Sequence, residues 1–221
     1  MVHGYFSSNK IGPHRLYFQI AESLNKIGYT VFRTDLSGMG ESDGDIEDIS
    51  FLEHVADVQT IIHHALSSDF CKSARVHLLG HCIGCCTMLK ACFDYSKYVE
   101  SLTLLSPFIP SPQSHMDMLG EENYYAIMNN GFGYRKGVYC CKSFVNAAYV
   151  LTEVATNNML RTLKSNIVFS QQDEFTVIND SINWARHIPL PYQIIVNANH
   201  NYIGPIVRTE LLDCLIRLFK K

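Results

Sequence analysis

One ten-residue stretch constrains the fold more than any other: Arg75-Val-His-Leu-Leu-Gly80-His81-Cys82-Ile83-Gly84. An apolar run reads as a strand, passes into Gly-x-Cys-x-Gly, and continues as a helical pattern from Ile83 to Phe93. Passing from strand to helix in so few residues forces a tight turn. The central residue is then strained, and the flanking positions must be small because neighbouring backbone comes very close. A strand feeding directly into a helix belongs to alternating α/β architecture, and the rest of the chain repeats the alternation. Strand patterns run Tyr29–Thr34, Arg75–Leu79, Val99–Leu105, Asn166–Ser170 and Tyr192–Val196. Helical patterns run Arg15–Lys26, Phe51–Leu66, Ile83–Phe93, Val177–Arg186 and Gly204–Phe219. Pro13 opens the first helix and Gly28 follows its end, and Ser50 with Glu53 has capping-box spacing for the second. A mostly parallel central sheet flanked by helices on both faces is expected. No internal repeat or low-complexity linker interrupts it.

The stretch from Pro107 to Lys164 breaks this alternation. It opens with Pro107, Pro110 and Pro112 and is then rich in Tyr, Phe, Met and Asn. It is too long for an ordinary connection, so an inserted helical lid is expected, dividing the chain into 1–106, 107–164 and 165–221. Tyr124, Tyr125, Phe132, Tyr134, Tyr139, Phe144 and Tyr149 line either an apolar substrate pocket or the lid's own core. Arg135-Lys136 reads by default as an exposed basic pair.

The turn at Cys82 also carries chemistry. The helix behind it supplies a partial positive charge and the N–H of Ile83, which favour a thiolate and a developing oxyanion. Downstream, Asp173 in Val168-Phe-Ser-Gln-Gln-Asp173-Glu174 ends one strand, and His200 in Val196-Asn-Ala-Asn-His200-Asn201 follows the last.

With these residues the chain resembles the α/β-hydrolase superfamily over nearly its whole length. Val2-His3-Gly4 looks like the His-Gly loop that donates an oxyanion N–H, here from Tyr5 or its neighbour Phe6. Asp35-Leu-Ser-Gly38-Met-Gly40-Glu-Ser42-Asp43-Gly44, with Glu47 to Ser50 and Asp57, is similar to the esterase-like branch that includes cinnamoyl and feruloyl esterases. The resemblance implies that the order nucleophile, acid, base falls on Cys82, Asp173 and His200, with Glu174 the fallback acid. The resemblance implies N-terminal strands ahead of the His-Gly loop, and only Met1 and Val2 come before His3 in this sequence. A truncated chain, a misassigned start or a partner supplying the strand is expected, with two unpaired strand edges as the consequence.

Cys82 stands where most of the superfamily carries Ser; dienelactone hydrolases and polyhydroxyalkanoate synthases are relatives with Cys there. A thiol beside His200 is the better nucleophile near neutral pH. The expected enzyme is a cysteine-dependent hydrolase of an ester or thioester, with the backbone of Ile83 and Tyr5 as oxyanion hole. An acyltransferase using the same triad, and a non-catalytic binding module of the same fold, are the alternatives. The substrate is a small-molecule or carrier-bound acyl compound, with no cofactor or metal required.

The remaining residues have plainer readings. Cys85 and Cys86 follow Cys82 without a second Cys or His pair at zinc-site spacing, so these and Cys71, Cys92, Cys140, Cys141 and Cys214 read as free thiols. His3 reads as a structural hydrogen-bonder, His63 and His64 as helix-surface residues, His81 as pocket border or packing, and Asp35 as a partner for loop amides. A net charge of −3 without a basic block argues against a sequence-independent grip on nucleic acid. The apolar runs fall short of the roughly 20 residues a membrane span needs. Absence of a signal-peptide pattern and eight Cys in 221 residues suit a cytoplasmic chain, with homo-oligomerisation left open.

Overall fold

The computed structural model describes residues 1–5, 9–69, 75–135, 137–147, 149–150 and 159–220. Four strands form one parallel sheet: β1 (Val76–His81), β2 (Val99–Leu105), β5 (Lys164–Ser170) and β6 (Tyr192–Ile195), in the order β1-β2-β5-β6. The flanking helices are α1 (Leu16–Asn25), α2 (Phe51–Ser67), α3 (Gly84–Cys92), α7 (Ile178–His187) and α8 (Pro205–Phe219).

Side chains alternate across the strands and build two cores. Leu78, Leu104 and Ile167 pack with Val55, Val58 and Ile62 of α2 and with Met88 and Leu89 of α3. Their strand neighbours Leu79, Leu105 and Val168 pack with Leu16, Ile20 and Leu24 of α1 and with Leu211 and Leu215 of α8. Both faces are therefore covered, as parallel strands require. Ser50 caps α2 reciprocally with Glu53. The first helix departs from expectation: Pro13 opens a short 3-10 turn, and α1 begins at Leu16 because His14 and Arg15 take left-handed backbone angles, φ 47° and 61°.

A second departure is Tyr29–Thr34, which is not in a strand. A strand exists only through its ladder, and this segment is separated from β1 by Met1 and Val2. Val2 bridges in parallel to Gly80, donating its N–H to the Leu79 carbonyl at 2.8 Å and accepting from the His81 N–H at 3.1 Å. Met1 donates its amine to the Phe32 carbonyl at 2.8 Å. Beyond them the outer edge of β1 faces Tyr29–Phe32 across a trough of about 390 Å3, bordered by Ile61, Val76, Leu78 and Phe219 and not lined by Cys82.

Between β2 and β5 the chain leaves the sheet. This excursion contains α4 (Pro112–Leu119), α5 (Glu121–Asn130), a hairpin of β3 (Phe132–Arg135) and β4 (Val138–Cys141), and α6 (Lys142–Ala147). The hairpin was not expected among helices. Phe132, Tyr134 and Tyr139 form its ring cluster, which is where those aromatic residues go. Among the described residues no helix is long and apolar enough to cross a membrane.

Candidate active site

Cys82 sits between the last residue of β1 and the first turn of α3, with a left-handed φ of 55°. Such a conformation costs a non-glycine residue about 1–3 kcal/mol and persists only where the surroundings enforce it. They do so through backbone contact. A Cβ on Gly80 would lie 2.8 Å from the Cys85 backbone, and one on Gly84 would lie 2.3 Å from the His3 carbonyl oxygen. The Cys82 N–H donates to the Leu105 carbonyl at 3.1 Å, fixing the turn to the end of β2. The turn thus lies at the carboxyl ends of the strands, where ligands bind in open α/β sheets.

His200 and Asp173 arrive from the far side of the sheet, on the loops after β6 and β5. His200 Nδ1 lies 2.8 Å from Asp173 Oδ2, and the other side of the ring is hydrogen-bonded to the Cys82 side chain. Asp173 also accepts from the Ser170 hydroxyl at 2.7 Å and from the Phe175 and Thr176 N–H groups at 2.9 and 3.2 Å. Burial would raise the Asp173 carboxyl, but the bonds from His200, Ser170 and Phe175 hold it below the usual carboxylate range. Burial likewise opposes charge on His200, and Cys82 and Asp173 outweigh it, pushing the imidazole up to about 10. Glu174 makes a different contact: its Oε2 accepts the His200 backbone N–H at 2.9 Å. The ring is therefore paired with Asp173 and the backbone with Glu174.

A hydrogen-bond chain ties this pair to the His-Gly loop. His81, fully enclosed, has Nε2 3.1 Å from the His200 carbonyl oxygen and Nδ1 2.7 Å from the Tyr17 hydroxyl. The carbonyl can only accept, so Nε2 carries the proton and Nδ1 accepts from Tyr17. Tyr17 in turn accepts the Gly4 N–H at 3.3 Å. The arrangement needs a neutral imidazole, and burial, with the nearby His200 adding to it, pushes His81 down to about 3. Sequence reasoning missed Tyr17, which has no motif around it, and Ser170, which lies in the segment quoted for Asp173 but was given no role, and left His81 between two roles.

His3 Nδ1 is 2.8 Å from the Gly4 carbonyl and Nε2 accepts the Leu36 N–H at 3.1 Å, so it staples two loops. Asp35 accepts the Lys10 and Glu41 N–H groups. Tyr5 follows Gly4, whose Cβ position is 3.2 Å from Cys82 Cβ, so its backbone adjoins the thiol. Its ring packs on Phe144 at 4.3 Å. Ile83 is the N-cap of α3. Phe6 and Cys71 lie outside the described residues. Burial pushes the Cys85 and Cys86 thiols up, which leaves them protonated and unreactive beside Cys82. Arg135 sits over the Phe175 ring at 5.0 Å, and Phe175 meets His200 edge-on at 4.7 Å, so the hairpin touches the acid loop.

Beside Cys82 a narrow cavity of about 20 Å3 is lined by Ile83, Phe108, His115, Met118, Phe144 and Val145, among others. Cys82 itself is 9% exposed. The excursion after β2 therefore roofs the thiol.

A profile of the alpha/beta hydrolase fold matches residues 1–142, more than half of the chain, and the chain belongs to that family. Solved structures agree across the remainder. Est1E from Butyrivibrio proteoclasticus, solved with ferulic acid bound, is 21% identical over 100% of this chain and 88% of its own, with a TM-score of 0.78. Alpha/beta hydrolase domain-containing protein 10 from mouse is 20% identical over 99% of this chain and 88% of its own, with a TM-score of 0.72. Polyneuridine aldehyde esterase is 16% identical over 98% of this chain and 96% of its own, with a TM-score of 0.69. No curated protein matches the sequence.

Proposed function

We propose that the chain is a cysteine-nucleophile hydrolase that cleaves an ester or thioester through a covalent acyl-enzyme. The observation that carries this reading is His200, held by Asp173 at 2.8 Å on one side and hydrogen-bonded to the strained Cys82 on the other. In acylation the Cys82 sulfur bonds to the acyl carbon, the carbonyl electrons move onto oxygen, and the N–H groups of Ile83 and Tyr5 stabilise that oxyanion. Collapse re-forms the carbonyl and expels the alcohol or thiol, which takes its proton from His200. Water, deprotonated by His200, then attacks the thioester, releasing the acid and returning the proton to the Cys82–His200 pair. Asp173 holds the imidazole's tautomer and offsets its charge throughout. Excursion 107–164 serves as the lid. The cavity of about 20 Å3 has room for a single water, so Met118 and Phe144 must move before an acyl group enters.

The neighbours named esterases, and the one that holds ferulic acid, support a small-molecule or carrier-bound acyl substrate. The buried thiols suit a reducing compartment such as the cytoplasm. Turnover of short p-nitrophenyl esters and their thioester counterparts tests the reading. Wild type is expected to hydrolyse them, and Cys82→Ala to lose about 10³-fold or more in kcat/KM. Undiminished turnover in Cys82→Ala contradicts it. Release that needs an added amine, alcohol or thiol makes the enzyme an acyltransferase, and no turnover or adduct makes it a binding module.

A further inference from the structure

The carboxyl end of the sheet holds a line of buried hydroxyls that the mechanism above does not use. Ser106 follows the last residue of β2, Ser170 ends β5, and Tyr202 lies two residues beyond His200. They are 2%, 1% and 0% exposed, so their hydrogen-bond partners come from inside the protein. Tyr202 Oη is 2.7 Å from Ser106 Oγ, Ser106 Oγ is 3.1 Å from Ser170 Oγ, and Ser170 Oγ is 2.7 Å from Asp173 Oδ2.

Three contacts share three protons, and the acid at one end fixes their direction. A carboxylate can only accept, so Ser170 donates to Asp173 and accepts from Ser106. Ser106 therefore donates to Ser170 and accepts from Tyr202. The Tyr202 hydroxyl also lies 3.0 Å from the Val168 carbonyl oxygen, but that oxygen already receives the Ser106 N–H at 2.8 Å. Turning the Tyr202 proton to Val168 leaves two protons for three contacts, so one pair of oxygens would meet lone pair to lone pair. The forward order gives every contact a proton. Burial pushes the Tyr202 phenol up, so the proton that begins the line stays in place.

The backbone is strained to build this line. Ser106 and Tyr202 both take left-handed angles, φ 41° and 51°, as Cys82 does. Such residues persist only where the surroundings enforce them, and they gather at functional sites. Ser106 also precedes Pro107, a position that favours extended backbone. Arg208 of α8 fixes the other end, where Nε donates to the Tyr202 carbonyl at 3.1 Å and Nη2 to the Asn201 carbonyl at 3.3 Å. The loop that carries His200 thereby reaches Asp173 twice, directly through the imidazole at 2.8 Å and around through three hydroxyls.

We infer that Ser106 and Tyr202 are positioning residues for Asp173, acting through Ser170 by a relay of hydroxyl protons that all point toward the carboxylate. The inference rests on the Cys82–His200–Asp173 chemistry proposed above. A donor to Asp173 favours its ionised form, and hydrogen bonds in a chain strengthen one another. The relay keeps Oδ2 aligned on His200 Nδ1 while the imidazole gains and loses its proton.

Tyr202→Phe, Ser170→Ala and the double variant test this with a p-nitrophenyl ester as substrate. Tyr202→Phe is expected to lower kcat by about 5-fold or more and Ser170→Ala by about 10-fold or more, each with KM within about twofold. The double variant is expected to match Ser170→Ala to within about twofold, because Tyr202 acts through Ser170. Effects that multiply in the double variant, or an unchanged kcat in folded Tyr202→Phe, overturn the inference. Neutron diffraction from deuterated wild type gives a second readout, which stands even where a variant fails to fold. Deuterons on the Tyr202–Ser106, Ser106–Ser170 and Ser170–Asp173 contacts support the relay, and a Tyr202 deuteron turned to Val168 overturns it. Intact mass separates the two layers: acylation of Cys82 in wild type with an unaltered kcat in the variants defeats only the relay. Absence of any acylation defeats the hydrolase reading, and the positioning role of Ser106 and Tyr202 with it.

Discussion

His81 donates from Nε2 to the carbonyl oxygen of His200 at 3.1 Å, across 119 residues of sequence, so the residue before Cys82 holds the backbone of His200. The same imidazole accepts from Tyr17, which accepts from Gly4. The His-Gly loop at Gly4 and the loop carrying His200 are thereby fastened to one another through a neutral histidine.

Replacing Tyr17 by Phe keeps the ring packing and removes the hydroxyl from the middle of that chain. His81 Nδ1 loses its donor and the Gly4 N–H loses its acceptor, both inside the protein. Tyr17→Phe is expected to destabilise the fold by about 1–3 kcal/mol and to lower kcat more than it alters KM. Urea unfolding and steady-state kinetics check this, and an unchanged midpoint contradicts it.

Gly84 is expected to be intolerant of even one methyl group. A Cβ there would stand 2.3 Å from the His3 oxygen and 2.7 Å from the Val2 oxygen, both backbone atoms. Gly84→Ala must push the His-Gly loop off Cys82, so ester hydrolysis should fall by about 10²-fold even where the variant remains folded. Near wild-type kcat/KM would show that this close approach has no bearing on the chemistry.

The pH dependence has a defined sign. Cys82 and Asp173 raise His200 to about 10, so acylation should persist well above the ordinary histidine range and fall only as His200 loses its proton. Because this pKa lies above its unfolded value, the stabilisation it brings is complete below about 6.5 and is lost as pH rises through about 10. Asp173 is lowered, so its contribution is present above the ordinary carboxylate range and is lost as pH falls through its folded value. Asp173→Asn should move the alkaline limb of acylation downward and reduce kcat/KM by about 10³–10⁴-fold. An unmoved limb would separate Asp173 from the proton chemistry.

Much of this architecture is legible in the sequence because it is local. Gly80, Cys82 and Gly84 announce the turn within five residues, and Ser50 with Glu53 announces the start of α2. Contacts between distant loops are not legible. Tyr17 and His81 are 64 residues apart, and nothing in the vicinity of Tyr17 marks it as a partner of the site. Tyr29–Thr34 has strand composition, but composition cannot supply the neighbour that a ladder needs. The hairpin at Phe132–Cys141 was hidden among aromatic residues that suit a helix core and a strand pair equally well.

The central claim is that the Cys82 sulfur becomes acylated. Rapid acid quench of the protein with a p-nitrophenyl ester, followed by intact mass and peptide mapping, measures this directly. The account predicts one acyl group per chain, on the peptide containing Cys82, and none on Cys82→Ala. Ester turnover without an adduct on Cys82, or an adduct that persists unchanged in Cys82→Ala, would contradict it.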